Sequence, residues 1–390
     1  MPDLTIRDTP AQDEARFSRF ELISWWEQAR LAKAKVLIIG AGALGNELVK
    51  NCALAGIGNL LVADMDRIEN SNLTRSVLFR ERNNGQYKAD VACQTARDIY
   101  PQIRANPFIG NVVHDLGLGV YFWADVILGG LDNREARVAI NSASLFAGKS
   151  WIDGAIEVLN GVARVFSPGD GPCYECTMSA VDWKMLESRR SCALLTREQL
   201  NEGKVPTTPT TASIIAAIQV QETIKLLHGL PTLAGSGFVY NGLSADAYTV
   251  AYKRKPDCFA HERYETLEKL NAGVAGVTLG DLLAKARSAL GENAAIHLSR
   301  DILVALTCDQ CGTREEVFRS LGKVSEKEGR CPKCNLMRTP ETASTLGFEP
   351  GLEHMTFAQL GVPLFDVVTA RAGERSISYL FDGDATAALG

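Results

Sequence analysis

From Lys35 onward, short unbroken apolar runs alternate with stretches of helical periodicity. Val36-Leu37-Ile38-Ile39 has no polar position, which predicts a strand buried on both faces, and Leu44 to Ala55 follows it with helical spacing. The alternation recurs as an apolar run from Asn59 to Ala63 and helical patterning from Gly85 to Tyr100, stopped by Pro101. Strands are predicted near Pro107 to Gly110 and at Val126 to Leu128, then a helix from Arg134 to Phe146 and a strand from Trp151 to Ala155. Strands interleaved with helices in this way predict an α/β fold with a doubly wound, mostly parallel sheet.

After Gly161 the texture changes to β-like runs, Val162 to Phe166, and then to a polar, charged stretch from Ser179 to Pro206. Thr210 and Thr211 offer hydroxyls to start a helix from Ile214 to His228, which Gly229 and Pro231 end. Two further strands, Gly237 to Tyr240 and Ala247 to Tyr252, extend the sheet. The charged run Glu262 to Lys269, with Gly273 and Gly276 after it, reads as a boundary. The expected organisation is a helical segment over 1–34, the α/β domain over 35–265 with an insert at about 177–210, and a small α+β module over 275–390.

Composition narrows the function. With 46% hydrophobic and 22% charged residues in 390, wholesale disorder is excluded. A net charge of −5 offers no general reason to hold nucleic acid or anionic lipid, so neither partner is expected. The longest apolar stretches, such as Ile214 to Ile218, fall far short of the ~20 residues of a membrane span, and Met1 to Phe20 lack the apolar core of a secretory leader. A cytoplasmic location with reduced thiols is therefore expected. The ten cysteines then need another explanation, and six of them form three Cys-x-x-Cys pairs, a spacing suited to metal.

Gly40-Ala41-Gly42-Ala43-Leu44-Gly45 lies between a predicted strand and helix. Glycines there let the backbone approach a phosphate, and the helix start supplies free N–H groups and a positive dipole end. Gly40, Gly42 and Gly45 are thus candidate nucleotide contacts in a Rossmann-like domain. Asp64, 19 residues after Gly45, can accept from ribose hydroxyls, which suits NAD and ATP equally. The next segment separates these two: nothing in hydride transfer demands Asp64-Met65-Asp66-Arg67-Ile68-Glu69-Asn70-Ser71-Asn72-Leu73-Thr74-Arg75. Arg75 and Lys88 can place two cations over a triphosphate, and Asp132, just past a strand, can hold Mg2+.

Together these motifs resemble the adenylating domain of ubiquitin-activating enzymes and the MoeB/ThiF proteins, whose pattern reads D-x-D-x-[VI]-x-x-S-N-L-x-R, then G-x-x-K, then an aspartate before asparagine. Asp64, Asp66, Ser71, Asn72, Leu73, Arg75, Gly85, Lys88, Asp132 and Asn133 match it over a resemblance spanning roughly residues 16–261. Ser76 departs from the family's usual glutamine. The resemblance implies ATP with Mg2+ on Gly40, Gly42, Gly45, Asp64, Asp66, Asn72, Arg75, Lys88 and Asp132. Arg16-Phe17-Ser18-Arg19 is similar to the family's R-Y-x-R segment, which implies that Arg19 acts on a second subunit's ATP in a homodimer.

Cys308-x-x-Cys311 and Cys331-Pro332-Lys333-Cys334 have the knuckle pairing of a zinc ribbon, placed over 305–337, where four thiolates close on Zn2+. Cys173-x-x-Cys176 needs a second pair, and Cys258 with His261 three residues on supplies three thiolates and one imidazole. Cys52 and Cys93 fall in predicted helices and read as inert buried thiols. Cys192 follows Arg189-Arg190-Ser191 and stands where the resemblance implies a thioester-forming cysteine, sixteen residues beyond Cys176. The expected function is ATP-dependent adenylation of the C-terminal glycine of a ubiquitin-like protein, thioester formation on Cys192 and transfer to a conjugating enzyme. The alternatives are a sulfur-carrier adenylyltransferase without thioester, a non-catalytic scaffold, and an NAD-dependent oxidoreductase.

Overall fold

The computed structural model describes residues 16–184, 206–261, 267–320, 323–347 and 351–390. Strands β1 (Lys35–Ile39), β2 (Asn59–Ala63), β3 (Arg104–Phe108), β4 (Val126–Gly129), β5 (Ser150–Glu157), β6 (Asn160–Phe166), β7 (Ser236–Asn241) and β8 (Asp246–Ala251) form one sheet in the order β3-β2-β1-β4-β5-β6-β7-β8. The first five run parallel, and β6 to β8 continue as an antiparallel meander. The order reverses between β1 and β4, the place where open α/β sheets form a crevice at the strand C-termini.

The longer helices of this part are α1 (Ala43–Ala55), α2 (Lys88–Ile99), α3 (Arg134–Ala147) and α4 (Pro209–Leu227). β1 shows why the sheet takes helices on both sides. Val36 and Ile38 point into a core with α1, α2 and α4, while Leu37 and Ile39 point into a second core with α3. Turn chemistry sets the ends: Gly56 and Gly148 close α1 and α3 in the left-handed region, at φ 78° and 65°.

Two expectations shift. β3 begins at Arg104 rather than near Pro107, because an edge strand needs little apolar signal and tolerates the proline within it. The cap of α4 is Thr208, whose hydroxyl accepts from the Thr211 N–H with Pro209 at the first helical position, so the helix starts earlier than Thr210 and Thr211 suggested.

Strands β9 (Leu267–Lys269), β10 (Ala295–Thr307), β11 (Arg314–Ser320), β12 (Thr339–Leu346), β13 (Val367–Ala372) and β14 (Arg375–Leu380) build a second sheet ordered β11-β10-β13-β14-β9, with β12 also paired to β10. Helix α5 (Leu279–Leu290) covers it over a core that includes Leu282, Leu283, Ile296, Phe357 and Phe381. The charged segment that reads as a linker in sequence contributes β9, which pairs parallel with β14. This sheet grips the loop after β3. Arg300 donates to the Val113 and Leu116 carbonyls at 3.2 and 3.0 Å and pairs with Asp366, whose Oδ1 accepts from the Leu118 N–H. Phe365, Val367 and Leu380 belong to the same buried cluster as Leu37 and Trp151 of the first sheet.

Among the described residues no helix is long and apolar enough to cross a membrane.

Candidate functional site

The crevice between β1 and β4 is built backbone on backbone. A Cβ on Gly40, at φ 92°, would lie 2.5 Å from the Gly130 carbonyl oxygen, and one on Gly45 would lie 1.9 Å from that of Gly40. Only glycine permits this approach, which brings the start of α1 against the end of β4. Gly42 differs, for it caps α1 at φ −76° and a Cβ there meets nothing within 4 Å. That space lies over the helix N-terminus, where phosphate is favoured.

Two substitutions separate these roles. Gly45→Ala should fail to give stable protein because the clash is with backbone. Gly42→Ala should keep its melting temperature within about 2 °C yet weaken ATP binding on the order of tenfold or more in calorimetry. Unchanged ATP affinity in Gly42→Ala would remove the phosphate from this loop.

Asp64, at the end of β2, anchors the loop. Its Oδ2 accepts from the Ala41 N–H and its Oδ1 from the Asp66 N–H, both at 2.7 Å. Burial pushes its carboxyl above the ordinary carboxylate range, against the opposing pull of the Lys88 ammonium and these two N–H donors. Lys88 opens α2 and sets its Nζ 2.8 Å from Asp66 Oδ2, with the lysine side chain 12% exposed and that of Asp66 56%. Arg75 is half-buried and donates to the Ser71 carbonyl at 2.8 Å. Asn72 has local work too, its Oδ1 accepting from the Glu69 N–H at 3.0 Å.

Asp132 is exposed, three residues beyond β4, and its Oδ1 accepts from Asn133 Nδ2 at 3.3 Å. Asn133 Oδ1 meanwhile caps α3 through the Ala136 N–H at 2.8 Å. Asp64 and Asp132 thus follow β2 and β4, strands that flank β1 and its glycine loop. Arg19 lies elsewhere. It is exposed in a segment whose Phe17 packs at Gly56, the far end of α1 from that loop, roughly 20 Å away at 1.5 Å per residue. Cys192 lies outside the described residues.

The cysteine expectations form two compact groups. Cys173, Cys176, Cys258 and His261 bring their ligand atoms within 4.8 Å of one another, with Cys173 Sγ 3.7 Å from both Cys176 Sγ and Cys258 Sγ. His261 Nε2 lies 3.3 Å from Cys176 Sγ. Cys308, Cys311, Cys331 and Cys334 form the other group, with 3.4 Å from Cys308 to Cys334 and 3.5 Å from Cys311 to Cys331. A zinc tetrahedron with bonds of ~2.3 Å has sulfur edges of about 3.8 Å, so both donor sets fit Zn2+. Cys52 and Cys93 are buried in helices, which pushes both thiols up to about 12.

Sequence reasoning missed a polar set beside the site, Arg137, Asp153 and Gln219, all buried, with the half-buried Arg164. A charged residue on an apolar helix face and an aspartate inside a strand were the signals available.

A doubly wound sheet with a glycine loop at its switch point, two basic side chains and strand-end carboxylates defines a nucleotide-binding α/β class. Within that class the chain belongs to the ThiF family of E1-like adenylyltransferases, which residues 15–260 match. It is 31% identical over 243 residues to the SAMP-activating enzyme E1 of Haloferax volcanii, covering 59% of this chain and 81% of that one. It is 30% identical to the sulfur carrier protein adenylyltransferase of Thermus thermophilus, covering 59% and 83%. The NEDD8-activating enzyme E1 catalytic subunit of Schizosaccharomyces pombe shares 38% identity, over 43% of this chain and 38% of its own length. In fold the chain is similar to Escherichia coli MccB with ATP, at TM-score 0.54 and 23% identity over 67% of this chain and 77% of that one.

Proposed function

We propose that the protein activates the C-terminal glycine of a ubiquitin-like protein by ATP-dependent adenylation and then holds it as a thioester. The observation that carries this is the convergence of the Asp64-anchored glycine loop, Lys88 and the exposed Asp132 at one crevice. ATP lies with its phosphates on Gly40 to Gly45. Lys88 and Arg75 place positive charge where the pentavalent phosphorus and departing pyrophosphate accumulate negative charge. Asp132 would hold Mg2+, which when bound neutralises phosphate charge. The partner's carboxylate oxygen attacks the α-phosphorus, the bond to the β-phosphate oxygen breaks, and an acyl-adenylate and pyrophosphate result.

Arg19 is assigned to the ATP of a second copy in a homodimer. Phe17, two residues before it, packs at the end of α1 away from the glycine loop, which supports this. Cys192 Sγ then attacks the acyl carbon, AMP leaves, and the acyl group passes on to a conjugating enzyme. The C-terminal zinc module is a docking surface for that acceptor.

A second reading, a sulfur-carrier adenylyltransferase that needs no thioester, draws support from the Thermus relative. A non-reducing gel with ATP, Mg2+ and candidate ubiquitin-like proteins decides between them, run beside pyrophosphate exchange. The expected result is a thiol-sensitive adduct that Cys192→Ala abolishes while exchange continues. Exchange without any adduct in the parent enzyme would establish the second reading and return Cys192 to an ordinary residue.

A further inference from the structure

The loop that presents Asp132 is held from beneath. Where β4 ends and Gly130-Leu131-Asp132 leave the sheet, main-chain carbonyls lose their ladder partners and must find others. Gln219 of α4, fully buried, donates Nε2 to the Gly129 carbonyl at 2.9 Å and to the Ile152 carbonyl at 3.0 Å. Arg137, one turn into α3 and 8% exposed, donates to the Leu131 carbonyl at 2.6 Å and to the Gly154 carbonyl at 3.1 Å. Its Nε donates to Asp153 Oδ1 at 2.9 Å. Asp153 is fully buried, and its other oxygen accepts from Arg164 of β6 through Nε at 3.0 Å and through the terminal nitrogen.

Two guanidinium groups therefore share one carboxylate. A single arginine with two donors already satisfies a buried aspartate, so compensation of Asp153 does not account for the second. The two differ in what else they touch. Arg164 stands over the Tyr174 ring, in the core. Arg137 reaches past Asp153 to the Gly154 carbonyl and to the carbonyl immediately before Asp132, at the site end of the sheet.

We propose that Arg137 is a positioning residue: oriented by Asp153, it fixes the Leu131 carbonyl and thereby the direction in which Asp132 meets ATP and its metal ion. This rests on the role given to Asp132 above. Arginine suits the task because its planar fork serves three acceptors in different directions, whereas a lysine keeps the charge but cannot hold all three.

Arg137→Lys and Arg164→Lys test it, since both weaken the contact with Asp153 and only the first touches the loop. ATP affinity is measured by calorimetry with and without Mg2+, beside melting temperature and pyrophosphate exchange. Arg137→Lys should cut the Mg2+-dependent gain in ATP affinity by about tenfold or more and lower the exchange kcat comparably, with little change in the partner's KM. Arg164→Lys should leave the Mg2+-dependent gain within about twofold even where its melting temperature falls further. Equal losses in both variants, or a change confined to melting temperature, would overturn the proposal. If the parent enzyme bound ATP with Mg2+ but exchanged no pyrophosphate with any partner, the proposed reaction would fall, and the calorimetric comparison would still decide the role of Arg137.

Discussion

Lys88→Ala should lower partner-dependent pyrophosphate exchange by about 10²- to 10³-fold, the usual cost of deleting one preorganised group that meets developing charge. Lys88 is set for this by its environment. It begins α2, its main-chain N–H donates to the Asp66 carbonyl at 2.9 Å, and its ammonium is mostly covered. The partner carboxylate of Asp66 is more than half exposed, so the ion pair itself is worth at most about 1 kcal/mol of stability. Activity should therefore collapse while the melting temperature barely moves. Lys88→Arg should recover only part of the rate, because the guanidinium is longer and planar. Exchange in Lys88→Ala within about threefold of the parent enzyme would take Lys88 out of the reaction.

Breaking the Cys308, Cys311, Cys331 and Cys334 group should have the largest effect on structure. The ribbon end of the C-terminal sheet has a very small buried cluster, Leu303, Leu306 and Val324 with Val317 against it. Burial of such side chains is worth about 1.5–3 kcal/mol each, whereas zinc binding by small structural sites contributes about 10–16 kcal/mol. A zinc ion held by these four thiolates would contribute as much as the local core or more. Cys308→Ser should reduce bound zinc from two ions per chain to one and open residues 308–338 to protease. Zinc content by atomic emission and limited proteolysis read both effects. A variant that kept two zinc ions, or that lost one and stayed resistant, would show that the ribbon needs no metal to fold.

The first sheet was legible in sequence because its central strands are buried on both faces and so read as continuous apolar runs, as Val36 to Ile39 does. Edge elements carry no such signature, which explains why β3 and β9 were displaced or read as linker. The glycine loop and metal knuckles were legible for a different reason: their chemistry fixes residue type at short local spacing. Arg137, Asp153, Arg164 and Gln219 lie 11 to 82 residues apart in chain order, counted from their positions, and meet only through the sheet. No local pattern encodes such a meeting. The packing of Phe17 at Gly56, the end of α1 away from the glycine loop, is likewise set by the direction of α1, not by the R-x-x-R spelling.

The grip of the second sheet on the loop after β3 also bears on how the molecule can move. Modules joined by a thin polar contact swing about their linker by default. Here Arg300 and Asp366 reach across at loop backbone, and Phe365, Val367 and Leu380 are continuous with the interior beneath β1. Among the described residues these contacts tie the second sheet to the nucleotide-binding sheet through the loop after β3. Under the proposed function, an acceptor docked at the cysteine-bearing end of β10 would therefore meet a sheet already anchored beneath β1, not a module carried on a free linker.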